Sequence, residues 1–338
     1  MSRSLGQDLL AHLKADDPNK AYKDISSIFT DLPHDELLEI EFLGNSHPLQ
    51  PGVNYLRDGA AVAIPKLRLV QAFFVARQLL ESYRDSNSID ASEAVAATAV
   101  LLLMDPEHLT AANTRKRLLI SALKTSERDG LVLRREKQFV DSLLTSRLHR
   151  HTKSPTLWSH RRWLLHLFAV HEVPVELEQD IKDVVMLAGV RHPRNYPAWH
   201  HARFLLDQCP RLAEPVVAEV KEFCLRNHTD ISGWSFLGYS ISAVEDGESR
   251  RKICSSVLAE VLQVTESLRW ASESVWVFLR GMTATGLVST QQFELFLNVN
   301  KTLASVTPKD DNQWRTLDNA RRWCEVHRLP TASDLADT

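Results

Sequence analysis

Residues 153 to 165 read Lys153-Ser154-Pro155-Thr156-Leu157-Trp158-Ser159-His160-Arg161-Arg162-Trp163-Leu164-Leu165, and this stretch decides the fold. Ser154 can accept hydrogen bonds from the free amides of a first helical turn. Pro155 sits at the first helical position, where a missing amide hydrogen costs nothing. Trp158, Leu165 and Phe168 then fall on one helical face. The signature recurs downstream as Asn195-Tyr196-Pro197-Ala198-Trp199, Asp230-Ile231-Ser232-Gly233-Trp234 and Ser272-Glu273-Ser274-Val275-Trp276. A weaker copy is Asp311-Asn312-Gln313-Trp314. Upstream the frame runs from Asp105-Pro106 to Ala112, with alanine in the place of tryptophan. Spacings of 46, 41, 35, 42 and 38 residues separate Ala112, Trp158, Trp199, Trp234, Trp276 and Trp314. A drifting period near 40 fits stacked pairs of helices joined by loops of variable length.

Second helices are expected between the tryptophan helices, at 176–187, 215–225, 253–264 and 291–303. Val184 and Leu187 face the apolar side of the first, and Val216, Val220 and Phe223 form the stripe of the second. Further helices are expected at 64–83 and 92–104. Asp105 and Ser272 read as helix caps like Ser154, and Pro106 as a first helical residue. Residues 1–60 are less regular and are expected to pack on a hairpin-repeat domain spanning 61–330. Its repeat cores lie near 105–123, 154–170, 194–208, 230–243, 272–284 and 311–326, with a flexible tail at 331–338 and no linker separating two domains.

Composition points the same way. Hydrophobic residues make up 44% of the 338 and charged residues 25%, so a packed core is expected. Only 11 glycines occur, none between Gly59 and Gly130, which disfavours a strand-and-turn architecture. A net charge of −3 supplies no global field for nucleic acid or anionic membranes. The cationic run Arg147, His149, Arg150, His151 lacks interleaved aromatics, which argues against nucleic acid. The longest apolar stretch, Val95 to Met104, is too short to cross a bilayer, so no integral membrane protein is expected. The N-terminal residues lack the apolar run of a secretory signal. The four cysteines, Cys209, Cys224, Cys254 and Cys324, form no C-x-x-C pair and read as reduced thiols of a cytoplasmic protein. The C-terminal residues carry no cysteine to be prenylated. His200 and His201 are adjacent and point apart on a helix, so they form no metal pair. No P-loop, G-x-G-x-x-G, H-E-x-x-H or serine elbow is present.

The stretches Leu157 to Leu165 and Asn195 to Arg203 resemble the repeat of protein prenyltransferase alpha subunits, roughly N-Y-x-x-W-x-x-R-x-x-x-L. The resemblance covers about residues 90 to 325 and is strongest in these two copies. It is greatest to the branch of prenyltransferase alpha subunit repeat-containing proteins, in which Lys-Ser-Pro precedes the tryptophan, here Lys153-Ser154-Pro155. The sequence departs from the repeat at Ala112, at Pro197 and at Leu237-Gly238, where tryptophan, histidine and arginine are expected.

The resemblance implies an all-α fold, a right-handed α-α superhelix of hairpins wrapped around a beta subunit. That partner, which the branch suggests is the Rab-type geranylgeranyltransferase beta subunit, would carry the zinc ion and the isoprenoid. No cofactor is expected on this chain, which would be inactive alone. The implied reaction moves a prenyl group, of geranylgeranyl type, from its diphosphate to a C-terminal cysteine of an acceptor protein. Lys153 matches the lysine that reaches the diphosphate, and Asn195 and Tyr196 match residues approaching the substrate. Trp158, Trp199, Trp234 and Trp276 read as core spacers, and Arg161, Arg162 and Arg203 as partners of acids or carbonyls between hairpins or at the subunit interface. The competing reading is a non-catalytic helical-repeat scaffold for protein–protein interaction.

Overall fold

The computed structural model describes residues 17–30, 36–44, 49–50, 52–86, 89–125 and 129–329. The expected tail at 331–338 and most of the loop at 44–48 lie outside them. The fold is an all-α helical repeat with one small sheet. The chain divides into two compact units, Met1–Val175 and Glu176–Thr338. The break lies inside the span read as one repeat domain. It falls at residues 173–176, which take no regular structure and include Pro174. Proline has no amide hydrogen and disfavours helix in the residue before it, so the preceding helix cannot continue.

The first unit opens on α1 (Pro18–Ser27), capped by Asp17, whose carboxylate accepts from the amides of Asn19 and Lys20. Three strands follow, β1 (Glu39–Leu43), β2 (Leu56–Asp58) and β3 (Ala61–Pro65). β3 is central, parallel to β1 and antiparallel to β2. Among the described residues, 17–60 thus hold a helix and two of the three strands, elements that the sequence reading did not place. Ile40, Val62 and Ile64 alternate inward and are buried. Ile64, read as the start of a helix, belongs to β3, and α2 begins one residue after Pro65 (Lys66–Ser86). α3 (Ala91–Met104) is buried along most of its length and hydrophobic on nearly every face. It is followed by α4 (Leu109–Thr125), α5 (Asp129–Leu144), the single turn α6 (His149–Thr152) and α7 (Pro155–Val170). The sequence reading had not picked out α5. Its buried face mixes Leu133, Phe139 and Val140 with Glu136 and Asp141, so charge interrupts the apolar periodicity.

The second unit begins with α8 (Leu177–Asp180), a π-helical segment Ile181–Met186 and α9 (Leu187–Arg191) in one continuous run. Ile181, Val184, Val185 and Ala188 are its buried hydrophobic residues, and Leu187 is only half-buried. Helices α10 (Tyr196–Gln208), α11 (Ala213–Arg226), α12 (Ile231–Ala243), α13 (Gly247–Ser267), α14 (Glu273–Ala284), α15 (Thr290–Val306) and α16 (Asn312–His327) complete the unit. Tryptophan helices stack on tryptophan helices, α10 on α12 on α14 on α16, and α13 stacks on α15. Within each hairpin α11 packs on α12, where Phe223 is seated between two glycines. A Cβ on Gly233 would come within 2.8 Å of the Phe223 ring, and one on Gly189 within 3.2 Å. At Gly233 a side chain would force the ring to shift, and at Gly189 the ring would have to give by a few tenths of an ångström.

Caps divide between the expected and the unexpected. Ser154 accepts from the Leu157 amide at 3.1 Å, and Asp230 accepts from Ser232 and Gly233 at 2.9 and 3.2 Å. Ser272 stands at the cap of α14 but makes no side-chain capping bond. Asp105 lies four residues before α4 and accepts from Glu107 in the preceding turn, which also holds Pro106. The α4 cap is His108, whose Nδ1 accepts from the Ala111 amide at 3.1 Å. Two other turns end in non-glycine residues with left-handed backbone, Glu172 (φ 54°) and Arg269 (φ 53°). Each lets the next amide reach back five residues, Val173 to Phe168 and Trp270 to Thr265, at 2.8 and 2.9 Å.

Candidate functional site

Trp158, Trp199, Trp234 and Trp276 are all buried, none more than 4% exposed. Three of them share one device. The indole N–H of Trp158, Trp234 and Trp276 donates to the carbonyl six residues earlier, Thr152, His228 and Trp270, at 2.8–3.0 Å. Each tryptophan thus fixes the loop that enters its own helix. Trp199 is the exception, because its indole nitrogen is buried without a hydrogen-bond partner. In the second unit Trp199 and Trp234 also each meet the aromatic two residues past the next tryptophan, whereas Trp276 meets Phe296. Trp199 lies 5.2 Å from Phe236 and Trp234 lies 5.0 Å from Phe278, centroid to centroid.

Lys153 follows α6 and precedes the buried Ser154 cap of α7. Both flanks of this corner are clamped. On one side His151 sends Nε2 to the carbonyls of Leu103 and Leu102 at 2.8 and 3.1 Å, at the C-terminal end of α3. That geometry puts a hydrogen on Nε2, and burial pushes the imidazole pKa down to about 4, so the ring is neutral near pH 7. On the other side Ser154 donates to Glu107 and to the Pro106 carbonyl, and Thr156 donates to the other Glu107 oxygen at 2.5 Å. Lys153 itself is half-buried. The positive charge read around it is weaker than the sequence implied. His151 is neutral inside the fold, while Arg147 pairs with Glu39 at 3.1 Å and Arg150 with Asp105 at 2.9 Å. Exposed pairs of this kind add little stability, yet they do offset charge at the corner.

Asn195 and Tyr196 lie in the second unit and part company. Asn195 is fully buried, and its Oδ1 accepts from the Ala198 amide at 3.3 Å as the cap of α10. Its side chain is occupied in ending the loop, so it reaches a ligand only through what it positions. Tyr196 is 61% exposed. The preceding Arg194 has left-handed backbone (φ 59°), its carbonyl takes the Tyr196 amide, and its own amide donates to Asp230 at 3.0 Å.

The arginines also separate. Arg161, three residues past Trp158, is fully buried with Nε 2.7 Å from Asp141 of α5, and Lys137 reaches the same carboxylate at 2.8 Å. A parallel pair lies one turn away. Arg115, three past Ala112, grips Glu136 through Nε at 2.9 Å and Nη2 at 2.5 Å, and His160 Nε2 stands 3.2 Å from that carboxylate. Burial alone would raise both carboxyl pKa values. Arg115 and His160 hold Glu136 below the usual range, and Arg161 and Lys137 do so for Asp141. The same position in later copies is Ala202, Leu237, Leu279 and Leu317, none more than 1% exposed. Arg203 is therefore one residue out of this register. It is half-buried, donates to Ser235 Oγ at 2.9 Å and lies 5.4 Å over the Tyr239 ring, whose hydroxyl donates to Asp207. Arg162, likewise one past the register, is half-buried. The ionic core of the first unit thus gives way to an apolar one in the second, a change legible only once the register was fixed by burial.

Cys224, Cys254 and Cys324 are buried, and burial raises their thiol pKa values, to about 11 for Cys254 and about 12 for Cys324. Such thiols stay protonated and unreactive. Among the described residues no group of three or more His, Cys, Asp and Glu could hold a metal ion, and no helix is long and apolar enough to cross a membrane.

Residues 133–168 match the protein prenyltransferase alpha subunit repeat, which here spans most of α5, the Lys153 corner and α7 almost to its end. Residues 157–261 match the ECM9 middle domain. The chain is similar to protein prenyltransferase alpha subunit repeat-containing protein 1 of Danio rerio, 29% identical over 40% of this chain and 33% of that protein. It is also similar to the protein of the same name from Homo sapiens, 26% identical over 46% of this chain and 41% of that one. The matched region is thus a third to two-fifths of the length of these curated relatives. In sequence and in helical-repeat fold, the chain resembles the protein prenyltransferase alpha-subunit family through its branch of repeat-containing proteins.

Proposed function

We propose that this chain is the non-zinc subunit of a heterodimeric protein prenyltransferase of geranylgeranyl type, working in the cytoplasm with a Rab-type geranylgeranyltransferase beta subunit. The observation that carries the reading is the alpha-subunit repeat at 133–168, because the match encloses Lys153 together with His151 and Ser154, the side chains that clamp its corner to residues upstream of the match. The partner would hold the zinc ion and the isoprenoid. In the reaction an acceptor cysteine thiolate forms a C–S bond to the first carbon of the prenyl chain. The C–O bond to diphosphate breaks, and diphosphate leaves with the bonding electrons. Lys153 provides a cation for that leaving charge, from a corner that is fixed before the substrate arrives. Tyr196 is the exposed contact of the second unit, and Asn195 holds the turn that presents it.

The test is co-expression with candidate beta subunits, size exclusion, and a prenyl-transfer assay on the eluted peak. A one-to-one complex that prenylates a cysteine-bearing acceptor is expected. In that complex Lys153→Ala should slow transfer by roughly a hundredfold or more with assembly intact. Unchanged turnover would remove Lys153 from the reaction, and elution alone with every beta subunit would leave a non-catalytic scaffold as the better description.

A further inference from the structure

The outer face of the three-stranded sheet carries a trough that the fold leaves open. Ile40, Val62 and Ile64 point into the core, so the strand registers set the alternate residues on the outer side in two rows. One row reads Glu39, Ala61, Asp58 and the next Glu41, Ala63, Leu56, across β1, β3 and β2. The central strand thus contributes only methyl groups, between longer side chains on both flanks. The flanks stand two strand spacings apart, roughly 10 Å. The result is a cleft of about 360 Å³, whose lining also includes Arg57 and Arg147. Leu56 keeps 47% of its surface in water, and Glu41, Asp58 and Ala61 are exposed.

The charges of the trough are unevenly matched. Glu39 pairs with Arg147 at 3.1 Å. Arg57 stands opposite Val62 in the register, on the inner side of the pleat, and its Nε donates to the Gly59 carbonyl at 3.0 Å. Among the described residues the carboxylates of Glu41 and Asp58 have neither an ion-pair nor a hydrogen-bond partner. The two edges of the sheet differ as well. The Arg147 amide donates to the Ile40 carbonyl at 3.1 Å and covers part of the outer edge of β1. β2 forms the other edge, and among the described residues it pairs only with β3.

We propose that this sheet docks an extended, basic segment of a partner protein, which adds as a fourth strand beside β2 and sets lysine or arginine side chains against Asp58 and Glu41. The open edge supplies main-chain hydrogen bonds, and the trough supplies selection by side chain. An extended chain puts every second side chain on one face, about 6.8 Å apart, which is the spacing of the two rows. A cationic side chain laid over the alanines keeps its stem on apolar surface while its charge reaches a carboxylate. An apolar residue at the next outward position meets Leu56. The carboxylates select a cation, and the strand edge selects a peptide over a free polyamine. The inference goes beyond the transferase reading and stands whether or not the chain joins an enzyme.

The test uses the full chain and a fluorescein-labelled peptide of alternating lysine and valine, read by anisotropy, beside a glutamate–valine peptide of equal length. The lysine peptide is expected to bind, more weakly as salt rises, and the glutamate peptide not to bind. Glu41→Lys with Asp58→Lys should weaken binding at least about tenfold. Ala61→Tyr obstructs the trough with every charge kept, and should weaken binding at least about threefold by the clash it builds. The control, Glu294→Lys with Asp310→Lys, makes the same charge change at two exposed carboxylates of the second unit and should bind like the unmodified protein. If circular dichroism shows the first variant misfolded, Glu41→Gln with Asp58→Asn replaces it, with a loss in the same direction expected. Equal losses in test and control variants, full binding by Ala61→Tyr, displacement by spermine as effective as by unlabelled peptide, or no binding of the lysine peptide would each overturn the proposal.

Discussion

Replacing Arg161 by leucine tests whether the charged core of the first unit stabilises it or only has to be balanced. Arg161 is fully buried and Asp141 is 1% exposed, with 2.7 Å between Nε and Oδ1. Leucine fits the geometry in principle, since Leu237, Leu279 and Leu317 fill the equivalent position of later copies. The cost therefore comes from the carboxylate left behind. Breaking a buried pair by removing one partner costs about 3–5 kcal/mol. Here the lower end, about 3 kcal/mol, is expected, because Lys137 remains 2.8 Å from Asp141. Arg161→Leu combined with Asp141→Leu removes both charges and should return to within about 1 kcal/mol of the starting stability. Lys137, partly exposed, can then turn its ammonium to water. Because the chain has two units, the quantity to measure is native-state hydrogen exchange of peptides from α5 and α7, which reports the local unfolding free energy. A single variant within 1 kcal/mol of the original, or a double variant no better than the single, would refute the reasoning.

Acid should destabilise the first unit before the carboxylates titrate. His151 has a folded pKa of about 4 against an ordinary 6.5, so the unfolded chain takes up its proton first as pH falls. Stability is full above about pH 6.5, and about 3 kcal/mol is lost by pH 4, measurable as a falling urea midpoint that His151→Gln should flatten. The tryptophans should differ under conservative replacement: Trp234→Phe and Trp276→Phe each break a bond to a loop carbonyl, whereas Trp199→Phe breaks none. Thermal unfolding should therefore show Trp199→Phe milder by about 1 kcal/mol, and equal losses would show that the indole bonds contribute nothing.

The sequence alone determined the helical class, the period, and most of the tryptophan helices, because capping chemistry and helical spacing are local. Ser154-Pro155 before Trp158 fixes where a helix starts whatever packs against it. The caps failed where two candidates compete within one turn, as when His108 rather than Asp105 entered α4. Only tertiary structure decided the rest. Helix α5 was hidden because Glu136 and Asp141 interrupt its apolar stripe, and they are tolerated inside only because Arg115 and Arg161 arrive from other helices. The three-stranded sheet needed β1 to meet β3 across an intervening segment that includes β2, a pairing that no local propensity encodes. Lys153, Asn195 and Tyr196 looked alike as motif residues, yet burial made Asn195 a cap and left Tyr196 in water. Residue type and spacing are properties of the chain, whereas burial and the countercharge a buried group finds depend on what the rest of the fold brings beside it.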